Sequence, residues 1–214
     1  MKPTSSNNRD GAKSLGNKPI ALFADKEAVF YSDLAQVFIA MDTRFDCVEK
    51  SALAGSKLSN YSALVIPGGY TLELLENLNE GIRQSIRSFV QEGGGYVGVC
   101  MGAYLAGELG LVRSKMIRVA AEYDVELNIT NPQHPVMRGY TGSVKMNYQN
   151  GPEMIVEGSD ADLANFPNGR AAIAASSFGN GRVVIFSPHP ERSRSNWKMI
   201  MNALEYSRKM PAQQ

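Results

Sequence analysis

The feature that most limits the fold of this chain is a series of short apolar runs in its first half, separated by segments with helical spacing. Residues 20–24, 63–66 and 96–99 are apolar runs of four or five residues, a length that suits buried strands. Between them, residues 28–41 and 78–91 carry apolar side chains three and four positions apart, as amphipathic helices do. This alternation predicts an α/β fold with a mostly parallel central sheet that is covered on both faces.

The second half of the sequence has a different pattern. Residues 123–129 and 143–148 alternate between polar and apolar side chains, which is typical of antiparallel or edge strands. Residues 171–177 and 183–187 flank an Asn-Gly dipeptide, the signal of a β-hairpin. A last helix is expected from about Ser195, a good N-cap residue, to residue 208. We therefore expect antiparallel additions to the parallel sheet.

Length and charge set the broad class of protein. With 214 residues, of which 43% are hydrophobic, the chain is long enough for one domain, which we place at residues 19–210 behind a flexible polar tail of residues 1–18. A net charge of +1 provides no overall field for nucleic acid or a membrane surface, and we expect neither partner. Without a long apolar run or a secretory signal pattern, the chain is expected to be cytoplasmic.

The motif Gly98-Val99-Cys100-Met101-Gly102 lies between a predicted strand and a predicted helix, with glycine two residues before and after the cysteine. This is the pattern of a nucleophile elbow, in which the turn is so sharp that only glycine fits at the flanking positions. The positive end of the following helix favours the thiolate, so Cys100 is the predicted nucleophile. Cys47, between apolar neighbours, is expected to be a small core residue. Neither cysteine has the spacing of a zinc ligand, and no metal site is predicted.

A histidine and a carboxylate follow a later predicted strand, in the motif His189-Pro190-Glu191. Pro190 favours an extended backbone at His189, and side chains two residues apart in an extended chain point to the same side. Glu191 is therefore expected to orient His189, which serves as the general base for the cysteine. His134, the other histidine, lies in a proline-rich loop and is expected to be non-catalytic.

Two loops are candidates for substrate contact. Pro67-Gly68-Gly69 ends a buried strand and is expected at the same edge of the sheet as the cysteine, where its N–H groups and that of Met101 are placed to bind an oxyanion; alone, the motif also fits a simple turn. The polar loop at residues 147–152 either lines a pocket or only turns the chain. Arg192 is expected to be a surface charge, with attraction of a carboxylate to the site as the alternative.

With these three motifs in this order, the chain resembles the class I glutamine amidotransferase-like superfamily over about residues 19–208. The resemblance implies a flavodoxin-like three-layer sandwich with the site at the carboxyl edge of the sheet. It also implies roles for five residues: Cys100 as nucleophile, His189 as base, Glu191 as the orienting acid, and Gly68 and Gly69 in the oxyanion hole.

One position departs from the pattern of the glutaminases in this superfamily. They usually carry glutamine four residues after the cysteine, where this chain has Tyr104. The resulting motif is similar to that of the amino-terminal domain of the large biotin–protein ligases, and Gln149-Asn150-Gly151-Pro152 is similar to their Asn-Gly-x-Pro-like loop. The resemblance implies that Tyr104 contacts the substrate. No biotinylation is predicted, because the chain has no room for the ligase's catalytic domain.

The resemblance implies a cysteine-dependent amidase or amidotransferase-like hydrolase that acts on a small carboxamide or peptide and needs no cofactor. If the released ammonia is used for synthesis, a partner synthase must receive it. Two alternatives remain open. Tyr104 also fits a non-catalytic binding or regulatory module on the same fold, and an enzyme of the DJ-1/PfpI group would use Asp25 or Glu27 as the carboxylate partner of the cysteine.

Overall fold

The computed structural model describes residues 18–208. The predicted tail, residues 1–18, lies outside the described residues except for Lys18, and so does the expected end of the domain at residue 210. The domain boundaries therefore stay a prediction.

Eleven strands of the described residues form one sheet. They are β1 (Ile20–Phe23), β2 (Phe45–Val48), β3 (Ala63–Ile66), β4 (Gly95–Val99), β5 (Lys115–Ile117), β6 (Glu122–Ile129), β7 (Ser143–Gln149), β8 (Glu153–Ile155), β9 (Ala161–Asn165), β10 (Ala171–Phe178) and β11 (Gly181–Phe186). The main path through the sheet is β2-β1-β3-β4-β11-β10-β9-β6-β7, while β5 pairs with β8 and β8 with β10. The pairs from β2 to β11 are parallel and those from β11 onward are antiparallel, which confirms the predicted mixed sheet.

The helices cover the two faces of this sheet. They are α1 (Tyr31–Ala40), α2 (Thr71–Asn77), α3 (Glu80–Gln91), α4 (Met101–Glu108) and α5 (Trp197–Arg208). Alternate strand residues point to opposite faces, so Ala63 and Val65 share a core with α1 and α5, whereas Leu64 and Ile66 share one with α2, α3 and α4. The result is the expected three-layer sandwich. Among residues 18–208, no helix has both the length and the apolar character that a membrane crossing requires.

Several local predictions need correction. The helix expected from residue 28 begins at Tyr31, because the preceding residues form a turn in which the Phe30 N–H donates to the Gly68 carbonyl (3.1 Å). The last helix begins at Trp197, and Ser195 lies in a 3₁₀ turn instead of capping the helix. Helix α2 and strands β5 and β9 have only three to seven residues, too few for a periodic pattern to show.

The expected core position of Cys47 is also wrong. Its strand β2 is an edge strand with a single neighbour, and two of its four residues are exposed, one of them Cys47. The predicted hairpin is present, but the residues at its tip are Gly179 and Asn180, and Gly179 takes the positive φ (+59°).

Candidate active site

The register of the parallel strands brings three distant segments of the chain together. Strand β4 lies between β3 and β11, with Gly98 paired to Ile66 and Val99 paired to Phe186. The N–H of Cys100 donates to the Phe186 carbonyl (2.8 Å), which extends this ladder by one residue. Because parallel strands end at a common edge, the segments that follow β3, β4 and β11 meet there.

Cys100 lies at a sharp turn between β4 and α4. It has φ +51° and ψ −99°, a strained conformation for a residue other than glycine. A Cβ on Gly98 would lie 2.5 Å from the backbone of Gly102, and one on Gly102 would lie 2.3 Å from the Ile66 carbonyl oxygen, so neither position accepts a larger residue without a shift. Helix α4 begins at Met101, so the positive end of its dipole is next to the cysteine.

His189 and Glu191 form a buried pair at the same edge. The distance from His189 Nδ1 to Glu191 Oε1 is 2.7 Å, and the side chains of both residues are inaccessible to solvent. The pair forms in a different way from the expected extended segment, because Pro190 opens a 3₁₀ turn that contains Glu191. The turn is fixed from outside by the Trp197 indole N–H, which donates to the Glu191 carbonyl (2.8 Å).

The surroundings of His189 favour its protonated form. Burial by itself would lower the pKa of the imidazole, but the negative charge of Glu191, the hydrogen bond to it, and the interaction with Cys100 raise this pKa to about 10. At neutral pH the ring is therefore an imidazolium with a carboxylate on one side. A cation in this position stabilises a thiolate nearby.

Gly68 connects the histidine to the cysteine. A Cβ on Gly68 would lie 2.5 Å from His189 Cε1 and 3.4 Å from Cys100 Cβ, so the imidazole and the cysteine contact the same point of the backbone. The ring of Phe30 packs edge-on against the imidazole, with centroids 5.0 Å apart. His189 Nε2 is buried and makes no hydrogen bond within residues 18–208, so it is available to the sulfur or to a substrate atom.

The Gly68-Gly69 segment is packed too closely to be an ordinary surface turn. A Cβ on Gly69 would lie 1.8 Å from the Glu27 carbonyl oxygen, which also accepts the Tyr70 N–H (2.9 Å). On the other side of the cysteine, Met101 is the first residue of α4, and its N–H has no acceptor within the helix. The Gly68-Gly69 segment and the first turn of α4 are thus both next to Cys100, and their role as an oxyanion hole stays a prediction.

The polar loop that follows β7 covers the cysteine. Cys100 Sγ donates to the Gln149 carbonyl (3.4 Å), and only 5% of Cys100 is exposed. The Tyr104 hydroxyl donates to the Asn150 carbonyl (3.2 Å), and Asn150 takes a positive φ of +54°. Arg192 is exposed, as expected, and donates to the Gln149 side-chain oxygen (3.2 Å), which helps to fix the loop.

A cavity of about 480 Å³ opens beside this loop. It is lined by residues 69–73, which continue from the oxyanion candidate into α2, and by Tyr104, Asn150 and residues 118–120. Tyr104, predicted to contact substrate, therefore lies in the wall of a cavity. The polar loop, for which two roles were open, lines this cavity through Asn150.

Three features of the site lie outside the sequence prediction. Phe30 was expected inside a helix, and nothing in its surroundings indicates contact with a histidine. The Gln149 carbonyl is a main-chain group that no residue pattern reveals. Arg118, in the cavity wall, follows the unpredicted strand β5.

The other candidate residues from the sequence, His134, Glu27 and Asp25, do not line this cavity. His134 accepts the Val136 N–H (3.3 Å) and packs against Tyr206, and burial lowers the pKa of its imidazole. Glu27 is 1% exposed and pairs with Lys50 through Oε1 (2.5 Å), while its Oε2 has no hydrogen-bond partner in the described part of the chain. Asp25 accepts the backbone N–H groups of Lys26 and Lys50. No cluster of potential metal ligands is found among residues 18–208.

Comparison with known proteins supports the fold class and the predicted resemblance. The family model described as biotin-protein ligase, N terminal, matches residues 46–112, which include the cysteine turn and Tyr104. A phosphoribosylformylglycinamidine synthase subunit PurQ from Synechococcus sp. (strain CC9605) is 27% identical over 160 residues, 64% of this chain and 74% of that protein. These matches support the class I glutamine amidotransferase-like superfamily as the group that the chain resembles. Within the superfamily it is similar to the group of the biotin–protein ligase amino-terminal region.

Solved structures share the fold of this chain. PurLQS from Thermotoga maritima has a chain with a TM-score of 0.70 at 17% identity, covering 88% of this chain and 99% of that chain. A glutamine amidotransferase from Thermotoga maritima has a TM-score of 0.63 at 13% identity, covering 88% and 83%. At these identities the likeness concerns the fold, so the chemistry must be argued from the residues.

Proposed function

We propose that the chain is a cysteine-dependent amidase that cleaves the C–N bond of a carboxamide, with Cys100 as nucleophile, His189 as acid and base, and Glu191 as the group that orients the imidazole. The observation that carries this proposal is the buried His189–Glu191 pair next to a cysteine on a strained strand-to-helix turn. Strain of this kind persists only where the surrounding structure enforces it, and it is concentrated at functional sites.

The first half of the reaction forms an acyl-enzyme. The Cys100 thiolate attacks the amide carbon, and the N–H groups around Gly69 and Met101 bind the negative oxygen of the tetrahedral intermediate. As the intermediate collapses, the C–N bond breaks and His189 gives its proton to the departing nitrogen. The products are a thioester on Cys100 and ammonia or an amine.

The second half releases the acid. His189, now neutral, takes a proton from water, and the hydroxide attacks the thioester carbon. The C–S bond breaks and the thiolate is restored next to the imidazolium. Glu191 neither gains nor loses a proton during the cycle. It accepts the hydrogen bond from Nδ1–H of His189, so that Nε2 faces the reacting atoms. The step needs no metal or organic cofactor.

The fate of the nitrogen is the second part of the proposal. The relative from Synechococcus is a synthase subunit, and ammonia that such a subunit releases is useful only if a partner consumes it. We propose a synthase partner if the substrate is a primary carboxamide. A free acid product from a peptide-like amide would instead indicate a stand-alone hydrolase.

The test is ammonia release from a set of primary carboxamides, with glutamine among them, by the wild-type protein and by Cys100→Ser. Cys47→Ser is the matched control, because it removes the other cysteine without touching the site. Release that is lost in Cys100→Ser and kept in Cys47→Ser supports the amidase. A wild-type protein that releases no ammonia and forms no thioester detectable by mass spectrometry would favour the binding or regulatory module.

A further inference from the structure

Phe30 is a large apolar side chain that belongs to neither hydrophobic core. The residues that pack together on the two faces of the sheet do not include it, and it is only half-buried. An apolar side chain stabilises a fold mainly through the area that it buries against the core. Core packing therefore does not account for the position of this ring.

The place of Phe30 in the chain gives its side chain no role in helix α1 either. Phe30 directly precedes Tyr31, the first residue of this helix, and its side chain makes no capping hydrogen bond. Serine, threonine, asparagine and aspartate are preferred at such a position, because their side chains accept the free N–H groups of the first turn. A residue that departs from a local preference in this way is expected where function requires it.

The ring of Phe30 is one of three contacts that surround the imidazole of His189. The two ring centroids are 5.0 Å apart and the ring planes are inclined at 69°. A Cβ on Gly68 would lie 2.9 Å from Phe30 Cδ2 and 2.5 Å from His189 Cε1, so both rings contact the same glycine. The imidazole is thus held by Glu191 at Nδ1, by Gly68 at Cε1 and by the ring of Phe30.

Phe30 is itself fixed through its backbone and through its ring. Its N–H donates to the Gly68 carbonyl (3.1 Å). The guanidinium carbon of Arg192 lies 5.2 Å from the centre of the phenyl ring, within the range of a cation–π contact. The same guanidinium donates to Asn147 Oδ1 (3.0 Å) and Gln149 Oε1 (3.2 Å). The phenyl ring can therefore serve as a fixed wall for the imidazole.

We propose that Phe30 is a positioning residue for His189, whose ring holds the imidazole in the orientation in which Nδ1 meets Glu191 and Nε2 faces the reacting atoms. The proposal rests on the proposed function, because it takes His189 as the acid and base for Cys100. A half-turn of the imidazole about its Cβ–Cγ bond would exchange Nδ1 with Cδ2 and leave a carbon facing Glu191. This torsion has broad and roughly two-fold preferences, so contacts must fix the orientation.

The test compares three variants with the wild type. Phe30→Leu keeps an apolar side chain but removes the flat ring, and Phe30→Tyr restores the ring at a half-buried position where the added hydroxyl can reach solvent. Tyr31→Leu is the matched control, because it removes the exposed ring of the next residue along the chain. Ammonia release from glutamine measures kcat and KM, and urea unfolding measures the stability of each variant.

Phe30→Leu should lower kcat by about 10- to 100-fold with little change in KM, because a misplaced imidazole slows proton transfer and leaves substrate binding intact. Its urea midpoint should stay close to that of the wild type, since the ring lies outside both cores. Phe30→Tyr should restore most of kcat, and Tyr31→Leu should behave as the wild type. A wild-type kcat in Phe30→Leu, or a loss of kcat with a matching fall in stability, would overturn the proposal.

A second measurement decides the role of Phe30 if the wild type releases no ammonia from glutamine. The chain has two histidines, so NMR of untagged, histidine-labelled protein at pH 7 gives two sets of ring signals, which His134→Gln assigns. A downfield Nδ1–H resonance of His189 that is present in the wild type, lost in Phe30→Leu and restored in Phe30→Tyr upholds the proposal. The same resonance in Phe30→Leu, or its absence from the wild type, overturns it.

Discussion

The two cysteines of this chain occupy opposite kinds of environment. Cys47 is exposed on the edge strand β2, where desolvation and the charge of Asp46 raise the pKa of its thiol. Cys100 is 95% buried at the end of a central strand, beside a histidine whose pKa is raised. On the proposed chemistry the buried cysteine is the nucleophile and the exposed one is not, so access to solvent does not by itself decide which thiol reacts. What distinguishes Cys100 is a neighbouring cation and the positive end of a helix.

The largest effect is expected from exchanging each sulfur for oxygen. Cys100→Ser should reduce amide hydrolysis by about 10⁴-fold or more, the scale seen when a catalytic nucleophile is removed, whereas Cys47→Ser should change it little. Steady-state ammonia release measures both. Comparable losses of ammonia release in Cys100→Ser and Cys47→Ser would show that the different environments of the two cysteines do not determine which one is catalytic.

The next effect tests the carboxylate behind the histidine. Glu191→Gln removes the charge that holds His189 as an imidazolium and should lower kcat by about 10²- to 10⁴-fold, as loss of the orienting acid does in other triads. Glu27→Gln changes the other buried carboxylate near this edge and should have a much smaller effect. A larger loss of kcat in Glu27→Gln than in Glu191→Gln would indicate the DJ-1/PfpI-like arrangement, in which the early carboxylate is the partner of the cysteine.

A smaller effect, on the free energy of unfolding, tests how tightly the turn that carries Cys100 is packed. Gly98→Ala should lower the free energy of unfolding by about 1–3 kcal/mol, because the new methyl group would overlap the backbone of Gly102. Gly81→Ala, in helix α3, meets only the Asn79 side chain at 3.3 Å and should be neutral or slightly stabilising. Urea unfolding of both variants provides the comparison. Equal stability would mean that the turn has room for a side chain.

Most of the architecture could be predicted because it depends on local patterns. Ile82, Ile86, Phe89 and Val90 lie on one face of α3 and are buried, as their spacing indicates. The three motifs of the site were found because glycine and proline mark the ends of strands, and parallel strands place those ends at one edge.

The sequence predictions fail where tertiary contacts determine the local structure. Phe30 leaves the helix because its N–H pairs with the Gly68 carbonyl, a partner remote in sequence. Cys47 is exposed because its strand lies at the edge, and strand order is not readable from the strand itself. The Gln149 carbonyl and the cavity around Arg118 depend on how the antiparallel half folds back over the parallel half, which no short-range pattern encodes.

The most direct test of the account is the pH dependence of iodoacetamide alkylation at the two cysteines, followed by mass spectrometry between pH 7 and 9. Because the pKa of His189 is raised to about 10, the imidazolium persists across this range beside the sulfur, and Cys100 should be alkylated faster than Cys47 at pH 7. The rate at Cys47, whose pKa is raised above its usual value, should increase about tenfold per pH unit. His189→Gln should remove the advantage of Cys100 at pH 7. Equal rates at the two cysteines of the wild type at pH 7, or modification of Cys47 with none at Cys100, would contradict the claim that Cys100 is an activated nucleophile.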